Sequence, residues 1–211
     1  MGTSSLFDIL GSVLIGGLLM LMVINVNGNL SKVNYSYGSE MTVQRNLVTM
    51  VGMIEQDFRR IGYCATPYKF PDPTYAILSA TQTSIKFLGD YNADGNLDTI
   101  SYWLGDTLSA NMTKNPNDKL LYKKINGQPT LQYNLGVVTF NFTYYGAYYL
   151  AGLGNLADTM SFPINIPAGT KSGIFMFRLS VLLQSPEAYD STYQYAYWRQ
   201  LRLTSINLRN R

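Results

Sequence analysis

The first quarter of the chain carries two hydrophobic patterns in succession. The first is Ile9–Val26 (ILGSVLIGGLLMLMVINV), which is almost wholly apolar, and no charged residue lies between Asp8 and Lys32. A helix rises 1.5 Å per residue, so roughly 20 residues cross a hydrocarbon layer of ~30 Å. Leu6–Val26 is therefore long enough to span a bilayer as one helix.

Three interpretations of this segment compete. A cleaved secretory signal usually has a basic start and a small-residue cleavage site, whereas no Lys or Arg precedes this run. A buried core helix rarely needs so long an uninterrupted apolar stretch. We favour a retained transmembrane helix, with the short N-terminal flank inside and the large C-terminal part outside the membrane.

The second pattern is a helical stripe that follows Asn27-Gly28-Asn29, where we expect the helix to weaken or bend. Its apolar members recur mostly three, four or seven positions apart: Leu30, Val33, Tyr37, Met41, Leu47, Val48, Val51, Ile54, Phe58 and Ile61. Asp57 is assigned to the opposite, polar face. Gly62 is the expected C-terminal cap. The stripe predicts an amphipathic stem, so that one helix runs from about residue 5 to residue 61.

The remaining chain shows the short alternating runs of β-strands, separated by turn residues. The predicted strands are Tyr75–Leu78, Ser84–Leu88, Leu97–Leu104, Leu120–Ile125, Leu131–Tyr133, Leu135–Tyr145, Gly173–Leu183 and Trp198–Leu208. Asn126-Gly127 is a strong hairpin signal, the last two strands are long enough to be neighbours, and residues 146–172 are expected to form a long loop. The predicted fold is α+β, a long N-terminal helix packed on an antiparallel sheet. Its parts are a membrane helix (1–27), a stem (28–61) and a β-rich domain (62–211).

The amino-acid composition excludes several classes of functional site. The 211 residues include no His and one Cys, Cys64, which excludes His-based catalytic triads, Cys-rich metal sites and an internal disulfide. The net charge of +3 is too small to indicate a nucleic-acid surface by itself. Charged residues make up only 14% of the chain, against about 25% in average globular proteins. No spacing suggests a carboxylate pair or a Ser-Lys dyad, so we expect no enzyme.

One acidic segment is a candidate metal site. Residues 90–98 (DYNADGNLD) have oxygen-bearing side chains at positions 1, 3, 5, 7 and 9 and Gly at position 6: Asp90, Asn92, Asp94, Asn96, Asp98 and Gly95. This spacing resembles the start of an EF-hand calcium loop. Position 12 is Ser101 instead of Glu, and the flanks are predicted strands. A calcium ion and a metal-free Asx-rich turn are the two hypotheses.

Several motifs in order resemble type IV pilin-like proteins. Leu6–Leu10 (LFDIL) is similar to the family's Leu-Ile-Glu-Leu-Leu stretch, and Met53–Tyr63 (MIEQDFRRIGY) resembles the end of the stem in minor pilins of the W type and pseudopilins of the J type. The hairpin that begins at Phe87-Leu88-Gly89-Asp90 and the ending Leu203–Asn210 are also similar. The resemblance covers roughly half of the chain.

The resemblance implies an assembly mechanism. The family's helix first anchors the subunit in the inner membrane and then packs in a filament core, where its acid pairs with the N-terminal amine of a neighbour. Asp8 matches that acid, and Gly11, Gly16 and Gly17 would allow close helix approach. A mature chain would begin at Ser4, after Thr3 where the family has Gly. Besides cleavage before Ser4 by a prepilin peptidase, three alternatives stay open: no cleavage, cleavage after Gly2, and processing by a divergent system.

Two functions follow as hypotheses. The first is a structural subunit of a type IV pilus or a type II secretion-like filament, most consistent with a minor pilin or pseudopilin. Its partners would be other pilin subunits, and it would move from a single-pass inner-membrane form with a periplasmic domain to a surface or periplasmic filament. The alternative is a membrane-tethered, calcium-dependent binding or adhesion module that never polymerises.

Overall fold

The computed structural model describes residues 2–70, 72–107, 113–146, 164, 166, 173–187 and 194–203. One helix, α1 (Gly2–Phe58), opens the chain and is followed by two short 3₁₀ turns, Pro67–Lys69 and Pro73–Tyr75. Seven strands follow: β1 (Ile77–Ala80), β2 (Ser84–Gly89), β3 (Asp98–Leu104), β4 (Lys119–Ile125), β5 (Leu131–Gly146), β6 (Ile174–Gln184) and β7 (Tyr195–Leu203). All neighbouring strands are antiparallel and lie in chain order, so the α+β prediction is confirmed.

The helix α1 is continuous and 57 residues long, which corresponds to about 85 Å. The α-helix passes through Asn27-Gly28-Asn29 without interruption. It ends at Phe58, three residues earlier than predicted. The Gly62 N–H donates to the Leu88 carbonyl oxygen at 2.9 Å instead of capping the helix directly, and Gly62 has a φ of +71°. The chain therefore leaves the helix by turning onto β2.

Only the last third of α1 packs on the sheet. Its buried apolar side chains are Val43, Leu47, Met50, Ile54 and Phe58. The apolar stripe was expected to pack on the sheet. This expectation is wrong before residue 43 and at Val48, because Leu30, Val33, Tyr37, Met41 and Val48 are all exposed. Outside the buried stretch, the stem is held by polar contacts: the Tyr35 hydroxyl donates to Glu187 Oε2 at 3.2 Å and Gln194 Nε2 donates to Ser36 Oγ at 3.0 Å.

The core lies between this last third of α1 and one face of the sheet. The ring of Phe58 is at its centre, 5.3–6.0 Å from four other aromatic rings: Phe87, Tyr102, Phe142 and Phe177. Aromatic pairs at such distances add to the stability that burial provides. Cys64, which follows the helix, is also buried.

Strand boundaries follow the alternation of side chains, with local exceptions. The two segments predicted at 131–133 and 135–145 form the single strand β5, because Gly136 at φ +76° makes a register shift without ending the strand. Strands β6 and β7 are neighbours, as predicted. Strand β7 begins at Tyr195, and its predicted end at 204–208 lies outside the described residues, as does most of the predicted loop at 146–172.

Candidate functional site

The apolar helix surface is the first candidate site. The most apolar 18-residue window of α1 has a mean hydropathy of 2.4, and none of it is buried in the molecule. The helix is therefore long and apolar enough to be a membrane anchor or a signal sequence. The core-helix interpretation is wrong for this segment, because a core helix would be covered by its own domain.

The predicted assembly residues all lie on this exposed surface. A methyl group added at Gly11, Gly16 or Gly17 would meet no atom of the described residues within 4 Å. They do not share one face with Asp8. At about 100° per residue, Gly11 lies on the same side as Asp8 and Gly17 on the opposite side. Close approach at all three glycines would therefore need neighbours on more than one side of the helix.

The acidic loop at 90–98 is the second candidate site, and it connects β2 to β3. Asp90 is fully buried and accepts three backbone hydrogen bonds, from Ala65 at 3.0 Å, Asp94 at 3.0 Å and Gly95 at 2.8 Å. Gly95 has the φ of +80° that the turn requires. Asp90 therefore fixes the loop against the segment that leaves the helix.

The other oxygen side chains of this loop also have hydrogen-bond donors. Asp98 accepts from the Tyr91 N–H at 2.9 Å and from Asn126 Nδ2 at 2.5 Å. Asp94 accepts from the Asn96 N–H at 2.7 Å and from the Asn92 amide at 2.9 Å. These hydrogen bonds lower the pKa of the Asp94 carboxyl, and the bond from the Asn96 N–H has the largest effect.

In the described part of the chain, no group of three or more His, Cys, Asp or Glu side chains is placed to hold a metal ion. Asn96 Oδ1 accepts a hydrogen bond from Lys69 Nζ at 2.8 Å, which puts a cation at the loop. The predicted position 12, Ser101, lies within β3. The flanks are strands, as predicted, and calcium at Asp90, Asn92, Asp94, Asn96 and Asp98 stays a prediction.

A third cluster was missed by the sequence analysis. Asp57, assigned to the polar face of the stem, is buried beside Lys123 of β4 and Tyr102 of β3. The pattern did contain the signal. Asp57 lies three residues after Ile54, on the buried face of the helix, and Lys123 alternates with Leu121 and Ile125 on the buried face of its strand.

We also compared the chain with known proteins. No family model matches the chain, and neither a curated protein nor a solved structure is significantly similar to it.

Proposed function

We propose that this chain is a structural subunit of a pilus-like or secretion-like filament, a minor pilin or pseudopilin that assembles through the first half of α1. The observation that carries the proposal is the contrast within α1. Its apolar first half is uncovered, while its last third is part of the domain core. The apolar half of the helix must be buried outside its own domain. In this proposal it lies first in the lipid bilayer and then among copies of the same helix in the filament.

The continuity of α1 supports this assignment. Because the helix continues without a break into the core, the position of the domain follows from how the apolar half is packed. A subunit of this shape can arrange its domains around a shared core of helices. The absence of His and the single Cys in the sequence agree with a role in assembly.

Asp8 is the assembly residue in this proposal. It is exposed on α1, two positions after the start of the apolar Leu6–Val26 segment. A carboxylate is costly among apolar helices unless a cation pairs with it. The N-terminal amine of a neighbouring subunit is the cation that the pilin resemblance implies, and that pair would set the axial register of the filament.

The experiment compares the wild-type chain with Asp8→Ala in the native host. We expect wild type in sheared or detergent-resistant fibres and Asp8→Ala in the membrane fraction only, with equal expression. Ser12→Ala is the control, because its hydroxyl bonds to the Ile9 carbonyl oxygen of its own helix. Wild type that stays wholly in the membrane fraction would favour the tethered adhesion module instead. Fibres that form normally with Asp8→Ala would remove Asp8 from the register role.

A further inference from the structure

A polar cluster lies in the core where α1 meets the sheet. Lys123 Nζ is 2.5 Å from Asp57 Oδ2, and both side chains are only 4% exposed. The Tyr102 hydroxyl donates a hydrogen bond to the same Asp57 oxygen. An amine, a carboxyl group and a hydroxyl proton donor are therefore in direct contact inside the protein.

Aromatic rings enclose this cluster. Lys123 Nζ lies 4.7 Å from the centre of the Tyr91 ring and 5.6 Å from that of Tyr102. Phe58 packs its ring edge-on against Tyr102 at 5.7 Å. Such surroundings keep water away from the pair. Two buried charges are costly in this environment. The direct contact between Nζ and Oδ2 also gives the ammonium proton a path to the carboxylate, and its transfer is the first step of the reaction that follows.

We propose that Lys123 and Asp57 condense into an intramolecular amide bond, a covalent cross-link between α1 and β4. The neutral Nζ attacks the Asp57 carboxyl carbon, and a bond forms between nitrogen and carbon. One proton then passes from nitrogen to the carboxyl oxygen Oδ2 through the Tyr102 hydroxyl. The bond from the carbon to Oδ2 breaks, and that oxygen leaves as water. The products are one amide and one water, without an oxidant or an activating group.

Position makes this reaction feasible without activation. Two groups held in a productive geometry react as if at an effective concentration of about 10⁵–10⁸ M. The carboxyl carbon is one covalent bond beyond the oxygen that Lys123 contacts. Burial raises the pKa of Tyr102, so its hydroxyl stays protonated and can pass a proton to the leaving oxygen while it accepts one from nitrogen.

The test is mass spectrometry of the full chain, purified in detergent and digested with trypsin. We expect a branched peptide that joins residues 46–59 to residues 120–124 and is lighter than their sum by one water. Lys123→Arg should release the unbranched peptides, whereas Lys124→Arg should keep the branch. A wild-type digest that contains only the two unbranched peptides at full mass would overturn the proposal, and it does so even where a variant does not fold.

One other reaction loses the same mass and must be separated from the cross-link. Asp94-Gly95 can cyclise to a succinimide with loss of water, but the change then lies in a linear peptide that contains residue 94. The branch position distinguishes the two products. If all of the mass loss maps to Asp94, the cross-link is absent.

The role of Tyr102 has its own test. General acid–base groups contribute about 10²–10⁴-fold to rates, so Tyr102→Phe should slow formation of the branch by at least about 10²-fold after synthesis. The readout is the rate at which the branched fraction grows, compared between variants whose circular dichroism spectra are equal. Equal spectra exclude a change of fold as the cause of a slower rate. Branch formation at the wild-type rate in Tyr102→Phe would remove the relay role, and the wild-type digest still decides the bond itself.

Discussion

The two ends of α1 differ in what covers them. Phe7 near the start is 74% exposed, and Phe58 at the end is 2% exposed, although both are phenylalanines in one unbroken helix. The end of the helix is stabilised by its own sheet. The start has no cover within the described part of this chain. In the proposed function, lipid and then other subunits cover its apolar surface. Folding of the domain and burial of the first half are therefore separate events.

Deletion of residues 2–29 is the largest change that tests this separation. The remaining chain keeps the polar contacts that begin at Tyr35 and the entire buried part of α1. We expect it to be soluble without detergent. Its free energy of unfolding should stay within about 0.5 kcal/mol of the full chain in detergent, because exposed residues contribute little. Loss of cooperative unfolding in the shortened chain would contradict this comparison.

Two matched truncations at phenylalanine sharpen the contrast. Phe58→Ala should lower the free energy of unfolding by about 3–5 kcal/mol, since it removes a ring from the centre of the core. Phe7→Ala should leave that value nearly unchanged and instead weaken membrane partition or filament assembly. Denaturant titration of both variants in the same detergent measures the first quantity. Similar losses at the two positions would mean that the domain also covers the start of the helix.

A pair of glycines makes a finer comparison. Gly89 is the last residue of β2 and lies against the segment that follows α1. A methyl group added at Gly89 would collide with the Arg60 carbonyl oxygen. Gly89→Ala should destabilise the domain by about 1–3 kcal/mol, as overpacking does. Gly52 lies in the helix with nothing within 4 Å of an added methyl group. Gly52→Ala should stabilise by up to about 1 kcal/mol, because Ala has the higher helix propensity. Thermal unfolding of both variants measures the difference in sign.

Sequence alone predicted the elements whose pattern is local. The alternation of β2 gave its start at Ser84 and an end within one residue of the observed Gly89. The apolar run and the charge-free stretch predicted a long helix outside the core of the domain, and the described helix has that property. These features depend on periods of two and 3.6 residues, which single segments display.

The failures depend on contacts between distant segments. The helix ends at Phe58 because the turn that follows pairs with β2: the Gly62 N–H donates to Leu88, which lies 26 residues further along the sequence. The spacing of Asp57 from Ile54 fits the buried face, but a buried carboxylate needs a partner, and Lys123 lies far along the chain. In the outer stem, Leu30 and Met41 keep the helical stripe but face no sheet. A stripe predicts that a face will be covered and does not tell which molecule covers it.

The smallest expected difference between the domain and the exposed half of α1 is their response to calcium. We expect millimolar calcium to raise the unfolding temperature of the domain and to leave the exposed half of α1 unchanged in protease sensitivity. Asp94→Asn should remove the effect, because it deletes an anionic ligand, whereas Asp106→Asn, an exposed carboxylate outside the loop, should keep it.

The pH dependence of this loop has a definite sign. Hydrogen bonds from Asn96 and Asn92 lower the pKa of Asp94 in the folded chain. Its contribution to stability is therefore fully present above the ordinary pKa of an aspartate, and it is lost as the pH falls through the lowered value. Calcium protection should disappear in the same acidic range, because protons and calcium compete for one carboxylate. An unfolding temperature that does not respond to calcium at neutral pH would leave the loop as a metal-free turn, held by the hydrogen bonds of Asp90, Asp94 and Asp98.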